Sequence, residues 1–239
     1  MEHSKQPSGF LTAEWRNLVL LSYAVPQSVL TPLLPPGCEL DVIGTRAFVS
    51  LVALNFMRTR VMGIPWPGHV NFPEVNLRFY VRCGKERGVV FIREFVPRAA
   101  VALVARLLYN EPYRGIHMKC KVEKTSETLT VTHHLRLHGR DYSIRASADA
   151  ATHLPSMNGT EHFFKEHQWG FGTSRHGRLQ RYRVEHPFWE VHAVRGINMD
   201  WDWHAIYGPR FSFLQDQRPY SVILAEGSPV AVSSSMRAA

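Results

Sequence analysis

Hydrophobic and polar residues alternate with a period of two over most of this chain, and that pattern predicts a protein built mainly from β-strands. Strands are expected over Leu18–Tyr23, Ala47–Phe56, Glu74–Arg82, Val89–Phe95 and Glu127–His138, then near 179–185 and 190–199, with a last one from Val222 to Ser228. Ala47–Phe56 is almost wholly apolar, as in a strand covered on both faces. Gly139–Arg140 reads as a hairpin turn into Tyr142, Ile144 and Ala146, and Trp169–Gly172 as extended chain. Short helices are expected after Val25, ended by Leu34-Pro35-Pro36-Gly37, over Glu161–His167 with Thr160 as cap, and over Arg210–Leu214. The 3.6-residue period is clearest at Pro97–Pro112, where Val101, Val104, Ala105 and Leu108 share one face. A turn over Tyr113–Arg114–Gly115 then leads to a strand carrying Ile116, Met118, Cys120 and Val122 on one side.

The strand from Glu74 to Arg82 carries the most information. Val75, Leu77, Phe79 and Val81 share one face; Glu74, Asn76, Arg78, Tyr80 and Arg82 share the other. A charged face is ordinarily a wet one. The same row would also suit the inner wall of a closed sheet around a cavity. Periodicity leaves both readings open.

Strands with few helices, no repeat and no linker indicate one domain over residues 10–234, with loose ends at 1–9 and 235–239. Residues 1–9 lack the apolar core of a signal peptide and no apolar run is long enough to cross a bilayer, so a cytoplasmic protein without a membrane partner is expected. Cys38, Cys83 and Cys120 are far apart and odd in number, which suggests neither a disulfide framework nor a thiol metal site. The net charge of +8 comes from arginine, since only six of the 28 basic residues are lysine. The arginines are scattered apart from Arg175, Arg178, Arg181 and Arg183, so a nucleic-acid partner is not expected, although a basic surface function stays open.

Thirteen histidines raise the question of a metal. His134 and His138 are roughly 13 Å apart along a strand, His162 and His167 miss helical ligand spacing, and Asp202 with His204 lacks a third partner, so no metal or other cofactor is expected. His133 reads as a core histidine and Cys120 as packing; no nucleophile motif or phosphate loop occurs.

The segments F-L-T-A-E-W-R-N-L-V-L-L-S-Y, L-L-P-P-G-C-E-L, E-V-N-L-R-F-Y-V-R, G-V-V-F-I-R-E-F-V-P-R, A-R-L-L-Y-N-E-P-Y and L-A-E-G-S resemble the uncharacterised bacterial YqjF-like family, from about Phe10 to Val230. That family in turn resembles the acetoacetate decarboxylase superfamily. The resemblance implies a mainly β (α+β) fold: a strongly curved antiparallel sheet closing into a cone-like barrel, with a few short helices outside. It also favours a cavity behind the Glu74 row.

The decarboxylases form a Schiff base through a lysine in a Pro-Lys-Lys corner, an amine that must be deprotonated to attack. Here Ala105–Leu108 and Pro112 match the helix and the proline, but the next two residues are Tyr113 and Arg114, and neither can form an imine. The family's pocket arginine matches Arg16 and one pocket glutamate matches Glu74, whereas a second falls near Leu51 and is lost. Lys119 and Lys121 lie on the polar side of the following strand, where solvation is the plainer reading.

A small-molecule pocket follows as the expectation. Glu74 would be its acid or base, Tyr113 a proton or hydrogen-bond donor, and Arg16, Arg78 and Arg114 its anchors for a carboxylate-bearing ligand. As an enzyme the protein would carry out proton-transfer chemistry, lyase- or isomerase-like, on a small oxo acid without an imine. Otherwise it would bind a small anionic or amphipathic ligand. Homo-oligomerisation is left open.

Overall fold

A computed structural model describes residues 9–65, 68–97, 112–157 and 159–234, and the backbone of 236–237. The amphipathic stretch with Val101, Val104, Ala105 and Leu108 lies outside the described residues. The strands are β1 Leu11–Val25, β2 Glu39–Leu40, β3 Ala47–Val61, β4 Ile64–Pro65, β5 Phe72–Cys83, β6 Glu86–Val96, β7 Tyr113–Gly115, β8 His117–Lys124, β9 Thr128–Leu137, β10 Arg140–His153, β11 Trp169–Thr173, β12 Leu179–Glu185, β13 Val191–Asp200, β14 Ser221–Val232 and β15 Met236–Arg237. Between them stand α1 (Gln27–Leu30), α2 (Thr160–Lys165), α3 (Trp203–Tyr207) and two 3₁₀ helices, Thr31–Leu33 and Pro209–Asp216.

One sheet holds all the strands. Its path β12-β11-β6-β5-β3-β1-β14 curls until β12 meets β14, pairing Val184 with Val232 and Glu185 with Ala231. Seven strands therefore close on themselves as a barrel. From β14 the sheet continues through β13, β10 and β9 to β8, an antiparallel arm outside the barrel. The expected curved, β-rich architecture is the one observed.

Alternation now has two buried destinations. Val75, Leu77 and Phe79 of β5 face the core shared with the arm, where Trp201, Trp203, Tyr207 and Phe211 of the α3 region pack. Glu74, Asn76, Arg78 and Tyr80 face inward and are buried too. The wet-face reading is thus overturned for these four, because barrel closure removes water from the second face as well. Only Arg82, at the strand's end, is exposed.

Several local expectations are refined. Tyr113–Gly115 is not a turn but a short strand parallel to the end of β6, with Tyr113 beside Glu94 and Arg114 beside Phe95. The turn between β9 and β10 falls on His138–Gly139, both at positive φ (52° and 80°). Gly159, not Thr160, precedes α2 as its cap. Asp202 caps α3, accepting from Ala205 N at 2.9 Å, so its carboxylate serves a helix end rather than a metal. Cys38 and Cys83 form a disulfide, contrary to expectation. Glu39 and Leu40 pair with Arg82 and Val81, a register that brings the preceding Cys38 against Cys83 despite the 45 residues between them.

β1 bends at Asn17 (φ 54°), where its register with β3 shifts between Arg16 and Val19. Its neighbour Gly227 sits at φ 84°, and a Cβ there would lie 2.0 Å from the Trp15 carbonyl oxygen. Only glycine meets both conditions. Gly227→Ala is expected to destabilise the protein by roughly 2 kcal/mol or more, and in thermal denaturation to lower Tm by several degrees. An unchanged Tm would refute the constraint.

Candidate functional site

The barrel encloses a cavity of about 140 Å³ to which each of its seven strands contributes, for example Trp15, Val52, Glu74, Phe91, Gly170, Tyr182 and Val232. Aromatic residues supply much of its wall: Trp15, Phe56, Phe72, Phe91, Trp169, Tyr182 and Trp189. Trp15 stands edge-on to Phe56, and Phe56 stacks on Phe72 at 4.8 Å between centroids. Gly170 leaves space for Tyr182, since a Cβ there would lie 2.2 Å from the tyrosine Cζ. The fold delivers these side chains because inward positions on paired strands fall side by side.

The polar lining is concentrated on β5, β6 and β7. Glu74 is 4% exposed and accepts a hydrogen bond from Asn76 Nδ2 at 2.9 Å. Tyr113 lines the cavity beside Glu74 and Glu94 and acts electrostatically on both carboxyls. Burial pushes the Glu74 carboxyl up to about 7, against smaller opposing effects of Asn76, Tyr113 and Arg78. Burial also raises the Tyr113 phenol, and the charges of Glu74 and Glu94 raise it further. A carboxyl that changes state near neutrality, next to a phenol that keeps its proton, is an acid/base pair in chemical terms.

A second polar group enters from α2 and the segment after it. Phe164 packs on Phe48 and Tyr80, and its carbonyl accepts from Arg78 Nη2 at 3.0 Å and Tyr80 Oη at 3.3 Å. Lys165 and His167 then line the cavity. Lys165 is 2% exposed and ion-paired with Glu166, the arrangement that a buried ammonium requires. His167 is buried, and that burial, reinforced by Arg78 and Arg87, holds its imidazole well below the ordinary histidine range. Neither of its ring nitrogens has a hydrogen-bond partner among the described residues.

Of the residues singled out by sequence, Glu74, Arg78 and Tyr113 meet in this cavity, and Arg16 and Arg114 do not line it. Trp15 points inward at the start of the β1 bend, so Arg16 turns away, onto Glu14 at 2.9 Å and the Gly227 carbonyl. Arg114 alternates with the inward Tyr113 and is exposed. Lys119 and Lys121 are solvated, the latter paired with Glu123 at 2.7 Å. Sequence reasoning missed Glu94, Lys165 and His167. The F-F-K-E-H run was the available signal: two phenylalanines pull the next residues inward, and the adjacent glutamate provides the lysine's partner.

Asn55, Cys120 and His133 form a separate chain, with Asn55 Nδ2 3.2 Å from the thiol and His133 Nε2 at 3.5 Å. It has the composition of a thiol nucleophile site but the wrong electrostatics. Burial raises the Cys120 thiol and depresses His133 to about 3, so the pair stays neutral where catalysis needs a thiolate. None of the three lines the cavity. Among the described residues, no group of three or more His, Cys, Asp or Glu is placed to hold a metal, and no helix is long and apolar enough to cross a membrane.

The family model of DUF2071, described as an uncharacterized conserved protein, matches residues 12–229. The uncharacterized protein YqjF of Bacillus subtilis is 30% identical over 106 residues, 44% of this chain and 44% of that protein, so the match covers under half of that relative's length. Among solved structures, the acetoacetate decarboxylase of Legionella pneumophila matches with a TM-score of 0.66 at 15% identity, covering 100% of this chain and 91% of that one. The enduracididine biosynthesis enzyme MppR complexed with pyruvate matches with a TM-score of 0.62 at 12% identity, covering 98% and 93%. These structural likenesses establish the acetoacetate decarboxylase-like fold.

The raised Glu74 carboxyl has a consequence for stability. Its folded pKa of about 7 exceeds the ordinary 4.5, so between these pH values the native state binds more protons than the unfolded one. Stability from this group is therefore complete below about pH 4.5, falls as pH rises, and is lost by about 3 kcal/mol above pH 7. Glu74→Gln should accordingly gain stability relative to wild type between pH 5 and pH 8 in urea denaturation. Parallel pH profiles for the two proteins would show that Glu74 ionises normally.

Proposed function

This chain belongs to the DUF2071 family, and we propose that it uses its barrel cavity for non-covalent acid/base chemistry on a small oxo acid. The observation that carries the reading is Glu74: a carboxyl buried in the cavity beside Tyr113, where burial pushes it up to about 7. Such a group takes a proton from carbon or oxygen at neutral pH and returns it, while the phenol donates to the oxygen on which charge develops. The absence of lysine at Tyr113 and Arg114 supports a route without an imine. Lys165 does not replace it in this reading, because its amine is held by Glu166 rather than left free to attack a carbonyl. The structural neighbours, an acetoacetate decarboxylase and MppR complexed with pyruvate, support an oxo acid as the substrate class.

A second reading rests on the walls. Their aromatic lining suits the apolar body of an amphipathic ligand, which fits a protein that binds without turnover.

Exchange of α-deuterium from a panel of oxo acids, followed by NMR, separates the two. Under the acid/base reading, wild type exchanges at least one acid, the rate rises with pH through about 7 as Glu74 ionises, and Glu74→Gln loses about 10²-fold or more. Binding without exchange in wild type would support the second reading. Borohydride reduction with the same acids should leave Lys165 unmodified; a stable adduct there would overturn the non-covalent route.

A further inference from the structure

The cavity is polarised along β5. Glu74 and Arg78 point inward from positions four residues apart, about 13 Å of strand. The Glu74 end holds Glu94 and Tyr113 and is acidic. The Arg78 end carries cations: Arg78 and Arg87 both act on His167, Arg87 being paired with Asp41 and the neighbouring Lys165 with Glu166.

Arg78 is more than nine-tenths buried. No carboxylate lies within ion-pair distance of it among the described residues; its Nη2 donates only to the Phe164 carbonyl. A buried guanidinium with no carboxylate in direct contact is costly, as is a buried donor with no acceptor. Its Nε is unpartnered, as are both nitrogens of His167. Tyr80, two residues from Arg78 on the same strand face, lies 4.9 Å from the His167 ring. A guanidinium N–H and an imidazole N–H offered at one end of a cavity complement a carboxylate, which supplies the missing charge and the missing acceptors together.

Between the two ends the walls are Trp15, Phe56, Phe72, Phe91, Tyr182 and Trp189. An apolar cavity of about 150 Å³ holds one benzene ring. This one, at about 140 Å³, is of that size.

We propose that the ligand is a single-ring carboxylic acid, aromatic or alicyclic, with its carboxylate on Arg78 and His167 and a hydroxyl or carbonyl across the ring on Glu74 and Tyr113. This rests on the preceding reading of Glu74 as the reactive end and adds the substrate class and the group that recognises it. Phe164 couples the recognition end to the fold, because its carbonyl fixes the Arg78 fork that would meet the carboxylate.

The test is calorimetric titration of the whole protein with 4-hydroxybenzoate, 4-hydroxybenzamide and acetate. Wild type is expected to bind 4-hydroxybenzoate at least tenfold more tightly than the amide, which has the same ring without the charge, and more tightly still than acetate. His167→Phe, which keeps the volume, should cut the advantage over the amide severalfold. Arg78→Met should abolish it, provided circular dichroism shows the variant folded; His167→Phe carries the test if it is not. Equal binding of acid and amide to wild type, or an advantage that survives in His167→Phe and in a folded Arg78→Met, would overturn the anion subsite. Acetate binding as tightly as 4-hydroxybenzoate, or no binding of either ring compound, would overturn the ring class. None of these results bears on the exchange lost in Glu74→Gln, so the subsite and the acid/base reading fail separately.

Discussion

Two residue pairs between β12 and β14 convert a curved sheet into an enclosure. Without that closure the inward face of β5 would be an ordinary wet face and Glu74 an ordinary surface acid. With it, a carboxyl, an amide, a guanidinium and a phenol on one strand are all withdrawn from water. Each must then find a partner or change its protonation. Glu74 does some of both, Tyr80 and Arg78 share the Phe164 carbonyl, and Ser22, Ser50 and Tyr80 join in a short hydroxyl chain (2.6 and 2.5 Å). The chemistry of the interior is a result of topology before it is a result of sequence.

Dehydration acts unevenly across the cavity. At the Glu74 end it makes the neutral form of an acid competitive near pH 7, which costs stability as pH rises. At the Arg78 end the guanidinium touches no carboxylate and is held by the Phe164 carbonyl, so burial is costly there. Lys165 shows the third outcome, a buried cation neutralised by its sequence neighbour Glu166. Three ionisable side chains thus meet the same dehydration with a shifted pKa, a single carbonyl contact and an internal ion pair.

The sequence carries the strands plainly, because alternation survives wherever one face is apolar. It also carries Glu74, Arg78 and Tyr113 as inward candidates. It could not decide between water and cavity for the Glu74 row, since period two is the same for both. Arg16 was misplaced by one feature, the bend at Asn17, which a linear pattern does not display. Cys38 and Cys83 were separated along the chain but neighbours across a register that only β2–β5 pairing reveals. Lys165 and His167 lie on a segment too short for any periodicity to register.

That segment has a consequence of its own. The barrel strands are locked to one another by ladders of hydrogen bonds, so altering one inward residue disturbs two neighbours. The stretch Phe163–His167 instead enters as a plug, held by the rings of Phe48, Tyr80 and Tyr220, by Arg87 over Phe163, and by hydrogen bonds to the Phe164 carbonyl and the Glu166 carboxylate. Its lysine and histidine can be exchanged without rewriting any strand pairing. Replacing side chains in this five-residue stretch would alter the cavity lining while the acid on β5 stays where it is.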